Sequence, residues 1–142
     1  MKLSLLLSHR AGLGFVLAAA WLGCAVFAPV ARAATPAEML GGYTAQAGAP
    51  ALPARGQQLF TTRQGREWSC ASCHGAVPTQ AGKHASTGKS ISPLAPAFNP
   101  ERFTDAAKTE KWFRRNCNDV LGRECSAAEK ADLLSWLLTL KP

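Results

Sequence analysis

Cys70-Ala71-Ser72-Cys73-His74 is the stretch from which the rest of this 142-residue chain is read. C-x-x-C-H is the spacing of a covalent haem attachment site. Two thiols three positions apart can each add to one vinyl group of a haem. The histidine beside the second thiol then lies under the iron, where its imidazole can serve as the proximal ligand. A thioredoxin-like redox pair and one half of a zinc site use cysteines at the same spacing, so the surrounding residues decide between them.

Upstream, Lys2, His9 and Arg10 precede an apolar run from Ala11 to Val30, and Ala31-Arg32-Ala33 follows as an A-x-A cleavage site. The run is long enough to raise a membrane anchor, but its alanine and glycine content and its small-residue ending favour a cleaved export signal over residues 1–33. Cys24 suggests a lipoprotein site only weakly, because Trp21 and Leu22 before it fit that pattern poorly. Cleavage leaves residues 34–142, one domain large enough for a single core, expected to be soluble in the periplasm and free of the membrane.

The leader carries Lys2, Arg10 and Arg32, so the net charge falls from +7 to +4 on its removal, and nothing then calls for a nucleic-acid partner. Cys24 leaves with it. Of the four remaining cysteines two belong to the motif, and Cys117 and Cys125, in an exported protein, are expected to form a disulfide. A zinc site would use all four, yet would explain neither export nor the position of His74.

Residues 34–50, with Gly41, Gly42, Gly48 and Pro50, read as a loosely ordered arm, and Met39 within it as a packing residue. Pro53 to about Arg63 reads as a short helix with Pro53 in its first turn and Gly56, Leu59 and Phe60 on one face. A mid-helix glycine is costly, so Gly56 serves either a close helix–helix approach or a loop. From Pro78 to Pro100 six prolines and glycines exclude a long helix. Such a loop can wrap a haem edge and offer a backbone carbonyl to the second N–H of a proximal histidine. Pro93 heads the candidates for that carbonyl, and Leu94 for a side chain covering the porphyrin face.

Thr104 can cap a second helix reaching about Asn116, with Asp105 in its first turn, and Cys117 to Cys125 reads as a compact turn. Ser126 and Glu129 form a capping-box signature for a last helix rich in leucine and bearing Trp136. No strand pattern is visible. The expectation is an all-α fold, three or four helices around one prosthetic group.

These features together resemble the class I cytochromes c. The resemblance rests on the Ala54/Gly56/Leu59/Phe60 helix, the Cys70-Ala-Ser-Cys73-His74-Gly75 motif, the Pro93-Leu94 turn and the aromatic-bearing last helix. It implies that the first and last helices cross through Gly56, Phe60 and the Trp136/Leu137 region. One departure is immediate. That family takes its sixth iron ligand from a methionine beyond the histidine, and no methionine follows Met39 here.

The segment Arg102-Phe103-Thr104-Asp105, then Glu110 to Cys117 and Gly122 to Cys125, is similar to the high-spin class I cytochromes c that bind oxygen, known as SHP. There an asparagine ligates the oxidised iron, leaves on reduction, and is flanked by a disulfide. The resemblance implies His74 and Asn116 as iron ligands to one haem c and Cys117–Cys125 as the disulfide. Asn118, His84 and the lysines remain alternative sixth ligands.

An amide oxygen is neutral, hard and weakly basic, so it favours ferric over ferrous iron. Three functions follow from the sequence: a redox-linked binder of O2, NO or CO that accepts electrons from a multihaem or membrane-bound cytochrome; a low-spin electron carrier; or a haem enzyme consuming O2, NO or peroxide.

Overall fold

The computed structural model describes residues 33–142, so the export-signal reading lies outside the described residues but for its last one. Five helices are present: α1 (Pro36–Ala47), α2 (Pro53–Thr61), α3 (Cys70–His74), α4 (Ala106–Leu121) and α5 (Ala127–Thr139). Between α3 and α4 lies one antiparallel pair, β1 (Gly82–Lys83) and β2 (Ser90–Ile91). The all-α expectation holds, with five helices where three or four were expected and that two-residue pair as a further addition.

The spine is α5. Ser126 accepts the Glu129 N–H at 3.2 Å while the Glu129 carboxylate accepts the Ser126 N–H at 2.8 Å, the reciprocal cap its sequence announces. Every residue from Ala131 to Leu137 is buried, so α5 is covered on more than one side. Helix α1 covers one side through Met39 and Tyr43 against Ala131 and Leu134. Helix α2 covers another through Phe60 against Leu133, Trp136 and Leu137.

The α2–α5 crossing settles the role of Gly56. A Cβ there would run into the backbone of Asp132 and Leu133, so only glycine lets the two helices approach this closely. Asp132 locks the same crossing. Its buried carboxylate accepts the Leu52 N–H at 2.6 Å and the Arg55 guanidinium at 2.7 and 3.1 Å, so the charge is paired where it is buried.

Three expectations are corrected. The arm at 34–50 is mostly helix α1. Thr35 and Glu38 form the same reciprocal cap as in α5, Pro36 occupies the first turn, and the apolar side of the helix is held on α5. Gly41 and Gly42 are tolerated because they face open space. Helix α4 starts one residue later than expected, with Asp105 rather than Thr104 as the cap, its carboxylate accepting the Lys108 N–H at 2.9 Å. It also runs through Asn116 and Cys117 to Leu121 and stops at Gly122 in the left-handed region, φ 72°, so Cys117 sits within the helix and not in a turn. The short β pair is the third. Its strands are too brief to show an alternating pattern.

Helices α1, α4 and α5 meet at a polar joint. The Tyr43 hydroxyl donates to Glu110 at 2.6 Å, Lys130 donates to the other Glu110 oxygen at 2.6 Å, and the Lys130 ammonium lies 5.6 Å from the Tyr43 ring and 5.8 Å from that of Phe113. Burial pushes the Glu110 carboxyl upward, but the Lys130 and Tyr43 hydrogen bonds outweigh it and hold it below its ordinary value of 4.5. A carboxyl depressed on folding contributes stability that is present above its unfolded pKa and is lost as pH falls through the folded value. Acid should therefore loosen this joint below about pH 4.5, and Glu110→Gln should lower stability at neutral pH while flattening the acid loss. Thermal unfolding of both proteins across that range checks it. Equal acid slopes would remove Glu110 as the cause. Half of the Glu110 side chain is open to water, so the effect is modest.

No helix among the described residues is long and apolar enough to cross a membrane.

Candidate haem site

The Cys70–His74 motif forms a single helical turn, α3. Ser69 opens it, its N–H donating to the Ser72 hydroxyl at 3.0 Å, and the Gly75 N–H closes it on the Ala71 carbonyl at 2.9 Å. The turn is pinned from both sides. Cys70 packs on the Phe60/Trp136/Leu137 cluster, and β1 lies against the other side, where a Cβ on Gly82 would strike the Cys73 carbonyl. The Cys73 sulfur accepts the Ala85 N–H at 3.3 Å.

Cys70, Cys73 and His74 open on a cavity of about 330 Å³. Apolar groups dominate its walls, among them Leu59, Phe60, Leu94, Phe113, Leu133 and Leu137, supplied by α2, α4, α5 and the loop after the β pair. A flat group with a broad apolar face and a polar edge fits such a lining, because polar side chains, His84, Asn99, Arg102 and Asn116 among them, stand beside the apolar ones. Neither Cys70 nor Cys73 takes part in a disulfide. Burial pushes the Cys70 thiol up to about 11. Burial, and then the positive charge of Arg102, bring His74 down to about 4, so its imidazole is neutral at physiological pH, the form that ligates a metal. The motif and the cavity therefore suit a haem.

The other expected residues are placed as follows. Leu94 lines the cavity. Pro93 contributes its carbonyl to the loop itself, accepting Arg102 Nε at 2.9 Å and Asn99 Nδ2 at 3.2 Å. Asn116 lines the cavity and Asn118 does not. No hydrogen bond from another described residue holds the Asn116 side-chain amide. His84 also lines the cavity. Its Nδ1 lies 3.2 Å from the Ser86 hydroxyl and accepts the Thr87 N–H at 3.4 Å, which leaves Nε2 as the nitrogen not used by the loop. Met39 belongs to the α1–α5 core and is absent from the cavity wall.

Cys117 and Cys125 are joined in a disulfide, with Cα atoms 5.5 Å apart. This removes two ligands from a four-cysteine zinc site and disposes of that reading. The bridge ties the residue next to Asn116 to the residue before the α5 cap.

Arg102 and Trp68 are among the wall residues to which the sequence assigns no role. Arg102 is a half-buried guanidinium that spans the Pro93 and Ser92 carbonyls, at 2.9 and 2.8 Å. It opens the segment that resembles SHP, but no local pattern gives it this contact, because its partners are backbone atoms of a loop. Trp68, two residues before the motif, also lines the cavity.

Comparisons with known proteins place the chain in a family. Residues 46–137 match the family described as a domain of unknown function, DUF1924. The cytochrome c-type protein SHP of Cereibacter sphaeroides is 54% identical over 107 residues, covering 72% of this chain and 82% of that protein. Cytochrome c'' of Methylophilus methylotrophus is 51% identical over 80 residues, 56% of each chain. Among solved structures, oxidised SHP, described as an oxygen-binding cytochrome c, superposes with a TM-score of 0.72 at 51% identity, covering 76% of this chain and 99% of that one. Oxidised cytochrome c'' gives a TM-score of 0.66 at 38% identity, over 75% and 95% of the two chains. A C-x-x-C-H turn on an apolar cavity and this degree of likeness lead to one conclusion: the chain belongs to the DUF1924 family and, within the all-α haem-binding cytochromes c, to the SHP type.

Proposed function

We propose that residues 1–33 direct export to the periplasm and that residues 34–142 hold one haem c and work as a redox-linked binder of small diatomic gases. Cys70 and Cys73 would tether the haem through thioethers, His74 would be the proximal ligand, and Leu94 would cover the porphyrin face beside Pro93. Such a haem supplies a one-electron Fe(III)/Fe(II) couple and, when ferrous, an iron able to take O2, NO or CO.

The observation that carries the proposal is that Asn116 lines the cavity on which the motif opens, with the only methionine after the leader buried in another part of the core. The Asn116 amide oxygen is a weak, neutral donor suited to ferric iron and easily given up on reduction. The Cys117–Cys125 bridge closes a short loop beside it, worth roughly 2–3 kcal/mol by chain entropy, and limits how far the segment can travel. The relatives add support. SHP is described as oxygen-binding, and the solution structure of cytochrome c'' is described in terms of haem-ligand detachment.

Electrons would come from a partner cytochrome, multihaem or membrane-bound. Lys108, Lys111, Arg114 and Arg115 are exposed along α4, and complementary charge speeds such encounters. The second reading, a permanently low-spin electron carrier, rests on His84, which lines the same cavity.

Optical spectra of the purified ferric, ferrous and ferrous-plus-CO forms separate the two. A high-spin ferrous form that shifts with CO is expected. A low-spin ferrous form indifferent to CO would overturn the proposal in favour of His84. Turnover of reductant with O2 or NO above a haem-only control would instead make the protein an enzyme.

A further inference from the structure

The Pro93 carbonyl is the acceptor that the sequence offers to the second N–H of His74, and the fold gives it to other groups. It accepts Arg102 Nε at 2.9 Å and Asn99 Nδ2 at 3.2 Å, two donors for its two lone pairs. The neighbouring Ser92 carbonyl is taken as well, by Arg102 Nη2 at 2.8 Å. Both donors are held in place. The Arg102 N–H bonds the Asn99 carbonyl at 3.0 Å, which keeps the two residues in one turn. The Glu101 N–H reaches Asn99 Oδ1 at 3.4 Å, which turns the amide nitrogen toward Pro93. His74, Asn99 and Arg102 line the same cavity. The His74 ring packs beside Phe60, with centroids 6.2 Å apart, and makes no hydrogen bond with another described residue. After burial, the positive charge of Arg102 is what acts on its imidazole.

We propose that Asn99 and Arg102 are positioning residues that tune the iron through His74: by filling the Pro93 carbonyl they leave the His74 N–H without a strong acceptor, which keeps the imidazole a weak donor and raises the reduction potential. This rests on the reading of His74 as the proximal ligand and is independent of Asn116. A ligating histidine that donates to a strong acceptor gains basicity, which stabilises the more highly charged ferric ion. Here the lone pairs of that acceptor are already drawn on twice, once by a cation, so a third donor finds little left.

Resonance Raman spectra of the five-coordinate ferrous holoprotein report the iron–histidine stretch, whose frequency rises as the imidazole becomes more basic, and an optical redox titration reports the potential. Wild type should give a low stretch, near that of ferrous haem bound by a neutral imidazole with no acceptor. Asn99→Ala keeps the Arg102 charge while freeing part of the carbonyl, and should raise the stretch and lower the potential. Arg102→Gln should move both further. A gain of roughly tenfold in ferric over ferrous preference, the scale of changing a group that supports a metal ligand, is a fall of about 59 mV. Asn99→Ala also guards against a poorly folding Arg102 variant. An Asn99→Ala protein with either quantity unchanged would overturn the proposal even if Arg102→Gln lowered the potential, for the guanidinium would then act on the haem by its charge alone. A wild-type stretch already at the high end would overturn it too. A ferrous form that stays low-spin shows no such band and refutes the Asn116 reading instead. The Asn99→Ala potential then decides, and an unchanged value overturns the proposal. A high-spin ferrous form with no iron–histidine band would remove His74 as the ligand, and its tuning with it.

Discussion

Alanine in place of Asn116 will change the ferric spectrum and raise the reduction potential, while the ferrous spectrum and its CO complex stay close to wild type. The sign follows from which oxidation state the ligand prefers. An amide oxygen stabilises ferric iron more than ferrous, so its removal takes stabilisation from the oxidised form and makes reduction easier. Each tenfold preference for ferric over ferrous iron is worth about 59 mV in a one-electron couple. Asn116 is free to act in this way, since no hydrogen bond from another described residue holds its amide. An optical redox titration of the two proteins measures the shift. An unchanged potential with an unchanged ferric spectrum would dismiss Asn116, and His84→Ala would be the next variant to make. A potential that falls would mean that the asparagine favours the ferrous state, the opposite of the chemistry argued for it.

The motif and the crossing of α2 with α5 were legible because each depends on residues close in sequence or on a single forced contact. Cys70, Cys73 and His74 lie within five positions, and a glycine facing Phe60 on a short helix left few uses other than close approach. The capping box at Ser126 stands out in the sequence and its twin at Thr35 does not. Two adjacent glycines and the following Gly48 and Pro50 outweighed the cap, although in the fold the glycines face open space and cost the helix little beyond their own propensity. What holds α1 is burial of Met39 and Tyr43 on α5, a contact almost a hundred residues away that no local pattern encodes.

The length of α4 was hidden for a related reason. A cysteine headed for a disulfide suggests the start of a turn, whereas the helix passes through Cys117 and the bridge reaches the residue before the α5 cap from the helix side. Site residues divide in the same way. Candidates with distinctive chemistry, a thiol, an imidazole, an amide where a methionine is missing, stand out in the sequence. Arg102 is named there only as the start of the segment resembling SHP, because its role on the wall comes from loop carbonyls that only the fold brings to it.

Gly56→Ala should destabilise the protein strongly, and the direction is informative because intrinsic preference points the other way. In an exposed helix interior alanine is favoured over glycine by about 1 kcal/mol. At position 56 the added methyl would meet the Asp132 carbonyl and the Leu133 nitrogen, backbone atoms that cannot rotate away as a flexible side chain can. Helices α2 and α5 would have to separate. That would disturb the Phe60–Trp136 pair, now 4.9 Å between centroids, and stretch the bonds from Leu52 and Arg55 to Asp132. Overpacking of a well-filled interior costs about 1–3 kcal/mol and sometimes more, and contact with backbone puts this site at the upper end. For a domain of this size about 2 kcal/mol lowers the melting temperature by roughly 10 °C. Gly41→Ala is the matched control, since a Cβ there meets nothing within 4 Å and the same substitution in α1 should raise stability slightly. Circular-dichroism melts of the two variants decide the matter: a Gly56→Ala protein as stable as the control would mean that the crossing is looser than its backbone contacts require, while opposite shifts would show that one glycine holds the frame on which the haem turn and α4 are set.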